Sequence, residues 1–142
     1  MSGVKYSVLV FILILCALIG VLVSQDQAAA PPTLEDEFKE ELRVTFGAVA
    51  IMEVTKDNQE LRIKTGLPVI SDEAYQLLLK EVCAILVSKT DPPYEAFRFV
   101  NGIEKQGYLY KAPAECDNVI LQPDKEAKKL IFSQTEFCRG RC

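Results

Sequence analysis

The chain has 142 residues, 49% of them hydrophobic and 25% charged, with 16 Lys+Arg against 20 Asp+Glu and a net charge of −4. This acidic balance argues against a polyanion-binding body, so no nucleic-acid partner is expected. Histidine and tryptophan are absent from the sequence, which removes imidazole bases, His-ligated metals and His-dependent triads.

Val8 to Val23 is unbroken apolar sequence. Extended to residues 6–24 it is just long enough, at ~1.5 Å per helical residue, to cross a hydrocarbon core of ~30 Å. Lys5 precedes the run and no cation follows it until Lys39, which predicts a cytoplasmic N-terminus and an extracytoplasmic C-terminal body held at the cell membrane by one span. The alternative is a cleaved signal and a secreted or periplasmic product. A cut after Ala30 would put Pro31 next to the scissile bond, and a cut after Ser24 would leave Leu22 where a small residue belongs. Cys16 follows Leu13, Ile14 and Leu15, not the small residue that lipoprotein processing requires. The expected organisation is therefore an anchor or signal over 1–24, a linker over 25–32 stiffened by Pro31 and Pro32, and an α+β domain over 33–142. Asn58, Asn101 and Asn118 all lack Ser or Thr two positions on, so no N-glycosylation acceptor exists, which leans toward a bacterial envelope.

In the body, Thr33 with Asp36 reads as a capping box, followed by a helix whose Leu34, Phe38, Leu42 and Phe46 form a narrow apolar stripe. Hydrophobicity then alternates from about 48 to 65 around the turn-forming Lys56 to Gln59, predicting a hairpin with Val54 opposite Leu61, Met52 opposite Ile63 and Glu53 opposite Arg62. Ser71 with Asp72 and Glu73 starts the longest helix of the body, 71–88. It gathers Tyr75, Leu78, Leu79, Val82, Ile85 and Leu86 on one side, with Cys83 at the margin, and Thr90-Asp91-Pro92-Pro93 stops it. A second hairpin is expected over about 95–112. A type I′ turn at Asn101-Gly102 would set Arg98 against Lys105, so a turn at Lys105-Gln106 is preferred, with Phe97, Phe99, Ile103, Tyr108 and Tyr110 on one face and a bulge at Asn101-Gly102. Residues 118–137 fit two strands or a helix. The fold class expected is α+β: an antiparallel sheet of two hairpins with helix 71–88 packed on one face.

Outside the leader there are four cysteines, Cys83, Cys116, Cys138 and Cys142, an even number suited to an oxidising compartment. The pairing favoured joins Cys83 to Cys116 and Cys138 to Cys142. Paired C-x₂₋₄-C knuckles are missing, so no metal site is expected. The carboxylates Glu35, Asp36, Glu37, Glu40 and Glu41 spread around an exposed helix, and Asp117, Asp124 and Glu126 are dispersed, so none reads as a catalytic pair. Glycine-rich phosphate loops and nucleophile elbows do not occur. Catalytic residues, cofactors and a small-molecule substrate are therefore not assigned. The most pointed surface feature is the pair Arg139 and Arg141 between two cysteines, guanidinium groups suited to gripping a carboxylate or phosphate on a partner. Together these features predict a non-enzymatic, membrane-anchored protein-binding or accessory subunit of an envelope assembly. The alternative is a secreted, disulfide-bonded inhibitor or immunity-type binder.

Overall fold

Helix α1, Leu34–Phe46, begins where Thr33 and Asp36 form a reciprocal capping box, the Thr33 hydroxyl accepting from the Asp36 amide and the Asp36 carboxylate from the Thr33 amide. Those bonds hold the Asp36 pKa below its ordinary value. Phe38 and Leu42 are fully buried, and Leu34 and Phe46 pack against the same core, so the stripe lies on its own domain. The computed structural model describes residues 29–89 and 94–142, with Pro32–Cys142 as one unit. The apolar run 6–24, the first part of the linker and the helix stop at 90–93 lie outside the described residues. Among the described residues no helix is long and apolar enough to cross a membrane.

Strand β1 (Ile51–Asp57) turns through Asn58 and Gln59 into β2 (Glu60–Thr65). Asn58 adopts the left-handed conformation, φ 54°, which asparagine tolerates, and this makes the turn shorter than the four residues expected. The register consequently moves by two residues: Val54 faces Ile63, Thr55 faces Arg62 and Lys56 faces Leu61. Met52 sits in an irregularity between Ile51 and Glu53 and is 48% exposed, so the fully buried Ile51 takes the core place expected for Met52.

Helix α2, Asp72–Val87, is capped by the Ser71 hydroxyl and buries Tyr75, Leu78, Leu79, Val82, Cys83, Ile85 and Leu86. Each of the large apolar side chains is worth about 1.5–3 kcal/mol of transfer free energy. The helix also corrects the expected topology. By crossing the sheet it carries the chain back to the starting end, so β3 (Ala96–Val100) runs parallel to β2, with Leu61 beside Phe97 and Ile63 beside Phe99. The sheet is therefore mixed, not purely antiparallel.

Strand β4 (Gln106–Tyr110) pairs antiparallel with β3, Phe97 facing Tyr110 and Phe99 facing Tyr108. The hairpin turn occupies 101–105, between the two registers considered from sequence. Ile103 belongs to that turn and is 66% exposed, whereas Phe97, Phe99, Tyr108 and Tyr110 share the buried face as expected. A short 3₁₀ turn leads to helices α3 (Cys116–Leu121) and α4 (Asp124–Ser133), and the chain ends in β5 (Thr135–Arg139), antiparallel to β4. The sheet order is β1-β2-β3-β4-β5. One face carries the helices and the aromatic core. On the other, Thr55, Arg62, Arg98, Leu109 and Glu136 line up in register across all five strands.

Candidate functional surface

Two cysteine pairs stand at disulfide distance, with Cα–Cα separations of 4.9 Å for Cys83–Cys116 and 5.9 Å for Cys138–Cys142. They are the two pairs favoured from sequence, and they differ in setting. Cys83–Cys116 joins α2 to α3 inside the core, whereas Cys138–Cys142 closes a surface loop at the end of β5. Among the described residues, no group of three or more Cys, Asp or Glu is placed to hold a metal ion.

The C-terminal loop is docked against the turn between β3 and β4. Asn101, only 2% exposed, organises that turn: its side-chain amide donates to Pro68 O (2.7 Å), and its Oδ1 accepts from the amides of Lys105 (2.8 Å) and Gln106 (3.0 Å). The Gln106 side chain in turn pairs with Ile70 through both backbone groups, at 2.7 and 2.8 Å. The loop before α2 and the turn before β4 are thereby one unit, with every polar group of Asn101 occupied. Asn101-Gly102 is thus neither a type I′ hairpin turn nor a bulge but the pinned start of a longer loop.

Onto this turn the chain end folds back, Gly140 (φ 100°) reversing its direction as only glycine does freely. The Gly140 amide donates to Lys105 O at 2.9 Å and the Cys142 amide to Glu104 O at 3.2 Å, while Arg62 Nη1 donates to Cys142 O at 3.2 Å. Glu104, also left-handed at φ 56°, lies 3.4 Å from both Arg62 Nη2 and Lys64 Nζ. The Arg62 hydrogen bond, then Lys64, hold its carboxyl below the ordinary value.

Arg139 and Arg141 are both exposed, but the structure does not bring them to one grip. Arg139 stays in the strand on the helix-bearing side, with its guanidinium 5.2 Å from the centre of the Phe137 ring. It lines a depression of about 560 Å³ with Val69, Lys105 and Tyr108. Arg141, beyond the Gly140 reversal, lines a second depression of about 680 Å³ with Ile103, Glu104 and Lys105. Lys105 borders both. Sequence reasoning missed Lys105, Phe137, Ile103 and Val69 as members of this surface. Alternation along TEFCR, which puts Phe137 beside Arg139, was the one signal available for any of them.

Elsewhere, two phenols contact carboxylates: Tyr94 OH donates to Glu35 at 2.7 Å and Tyr108 OH to Asp72 at 2.8 Å. Burial first, and the carboxylate second, raise both phenol pKa values well above the ordinary value, so these hydroxyls are neutral donors and not nucleophiles. What the surface offers is cationic and aromatic contact, together with the carboxylates of Asp72 and Glu104, which line the same depressions and are engaged by Tyr108 and by Arg62 and Lys64. No family model, no curated protein and no solved structure matches the chain.

Proposed function

We propose that the protein is a non-enzymatic, single-pass membrane protein whose extracytoplasmic α+β domain binds another protein as an accessory subunit, using the surface around Arg139 and Arg141. The observation that carries this reading is the pairing of all four cysteines outside the leader. Such pairs persist on the oxidising side of a membrane, the side to which Lys5 and the apolar run 6–24 direct the body. The binding half is supported by guanidinium groups beside the 47% exposed Phe137 ring, arginine and aromatic side chains being enriched at interfaces, with the 66% exposed Ile103 and Val69 adding apolar area next to them.

The test is fractionation of the full chain with thiol alkylation before reduction. The expected outcome is carbonate-resistant membrane protein in which Cys16 alone is alkylated. A chain recovered from the cytosol with all five thiols free refutes the reading. For the surface, Arg139→Ala with Arg141→Ala should lower the yield of a partner captured in mild detergent while leaving the melting temperature unchanged. Undiminished capture removes the two arginines from the interface.

A further inference from the structure

The sheet has two edges, and they are finished differently. At β1 the Arg43 side chain donates from Nε to Ile51 O (3.0 Å) and from Nη2 to Met52 O (3.4 Å), beside the irregularity at Met52. Edge carbonyls are occupied there and the strand is bent, two devices that discourage pairing with another chain.

At β5 the phase of the ladder can be fixed from its flanks. Gly140 N donates to Lys105 O and Lys111 N to Gln134 O, so Gly107/Cys138 and Leu109/Glu136 are the hydrogen-bonded pairs of the β4/β5 register. Thr135, Phe137 and Arg139 belong to the alternate pairs, and their N–H and C=O groups point outward from the sheet. Asn101 N donating to Gln106 O sets the same phase on the other side of β4. No backbone bond from another described segment covers the outward groups of Phe137 and Arg139.

Charge at this edge is also distinctive. Arg62, Lys64, Lys80, Lys89, Arg98 and Lys111 each have a carboxylate partner; of the other cations among the described residues, Lys105, Arg139 and Arg141 are the ones gathered at this edge, around the two depressions. In a chain of net charge −4, these three cations surround one end of β5. The acidic residue of the strand, Glu136, is already paired with Lys111.

We infer that the open edge of β5 takes up an extended, acidic strand of a protein partner, Arg139 and Phe137 selecting its side chains. This rests on the protein-binding reading above and names the partner's chemistry. A strand bonded to β5 places one residue beside Arg139 and another, two positions along, beside Phe137, both on the helix-bearing side. The first position calls for Asp or Glu and the second for a β-branched or aromatic residue. A second copy of β5 fits less well. Antiparallel pairing about Phe137 sets Arg139 against Thr135 and leaves the three cations without counter-charge.

The experiment uses the full chain in mild detergent and the labelled peptide Thr-Glu-Thr-Val-Thr-Glu-Thr as probe. Its controls are the peptide with Lys for Glu and the acidic peptide N-methylated on alternate amides. The acidic peptide should slow amide hydrogen exchange at 135–139, and both controls should bind at least roughly tenfold more weakly. Arg139→Glu should weaken the acidic peptide by a similar factor, with an unchanged thermal melt. Because N-methylation alters only the peptide, that arm does not depend on a variant folding. The inference is overturned if the acidic peptide does not bind, if the lysine or N-methylated peptide binds as well, if protection appears elsewhere, or if β5 is protected without peptide in proportion to protein concentration, the mark of a second copy. A natural partner that contacts another surface would sink this inference and leave the protein-binding reading intact. Peptide protection of β5 in a chain that fractionates with the cytosol would sink the anchored reading and leave this one.

Discussion

Tyr75 offers the sharpest test of the core. Its ring is fully buried, stacks on Tyr108 at 4.2 Å between centroids and meets Phe99 and Phe132 edge-on at 5.5 and 5.7 Å. Its hydroxyl lies 2.6 Å from Thr135 Oγ1, and Thr135 itself donates to Ile131 O at 2.7 Å. Since the Thr135 hydroxyl has a single proton, Tyr75 is the donor in the first bond. Tyr75→Phe then removes a donor and strands nothing that cannot be tolerated, at a cost of about 0.5–1.5 kcal/mol. Thr135→Val leaves the buried Tyr75 hydroxyl without an acceptor and should cost about 1–3 kcal/mol, although Thr135 is the less buried partner. In the double variant the stranded hydroxyl is gone, so its cost should fall below the sum of the singles by about 1 kcal/mol. For a domain of this size each kcal/mol moves the melting temperature by about 4 °C. Guanidinium unfolding of the four proteins, followed by circular dichroism, measures all three quantities. A Thr135→Val protein at least as stable as Tyr75→Phe, or strictly additive effects, would refute the assignment of donor and acceptor.

Alkali should unfold the domain through its tyrosines. Burial raises the pKa of Tyr75, Tyr94, Tyr108 and Tyr110 above the ordinary value of 10.0, that of Tyr110 to about 12 with its hydroxyl unpartnered. A folded pKa above the unfolded one means stability that is intact below pH 10 and is lost as pH rises through the folded values. Tyrosinate absorbance should therefore appear together with unfolding, and ionisation of all four near pH 10 in an intact fold would contradict it. For the disulfides, separations of 33 and 4 residues correspond to chain-entropy terms of about 4 and about 2 kcal/mol, so Cys83→Ala/Cys116→Ala should lower the melting temperature about twice as far as Cys138→Ala/Cys142→Ala. Equal losses would show that loop entropy does not govern them. Gly107→Ala should cost at least about 1–3 kcal/mol, because the added methyl would lie 2.4 Å from Phe99 O, a backbone atom that cannot swing aside; a wild-type melt would exclude that clash.

Local signals in the sequence were sufficient for the helices and for which residues are apolar inside them. The capping box at Thr33, the Ser71 cap and the six-residue apolar side of α2 all depend on neighbours within a few positions, and all appear in the fold. Registers were less legible because they depend on turn length. A two-residue turn at Asn58-Gln59 and a five-residue loop at 101–105 each moved the pairing by an even number of residues, which preserves the faces. The core aromatics were accordingly foreseen with the wrong partners. Parallel pairing of β2 with β3 was invisible locally, being set by where α2 delivers the chain.

The same distinction governs the surface. Residues 116–133 carry helical spacing only in two short pieces broken at Pro123, and β5 is five residues long, too few for alternation to outweigh a helix reading. Its strand state comes from β4, which leaves an edge that β5 satisfies. Once that strand exists, Phe137 and Arg139 must share a face, and continuing the alternation would add Arg141 to them. Gly140 prevents it. Its φ of 100° takes Arg141 out of the strand, and the bonds from Gly140 and Cys142 to the 101–105 turn hold it there. Two arginines separated only by Gly140 thus line two neighbouring depressions joined by Lys105, a broader front than one loop closing both guanidinium groups on a single anion would present.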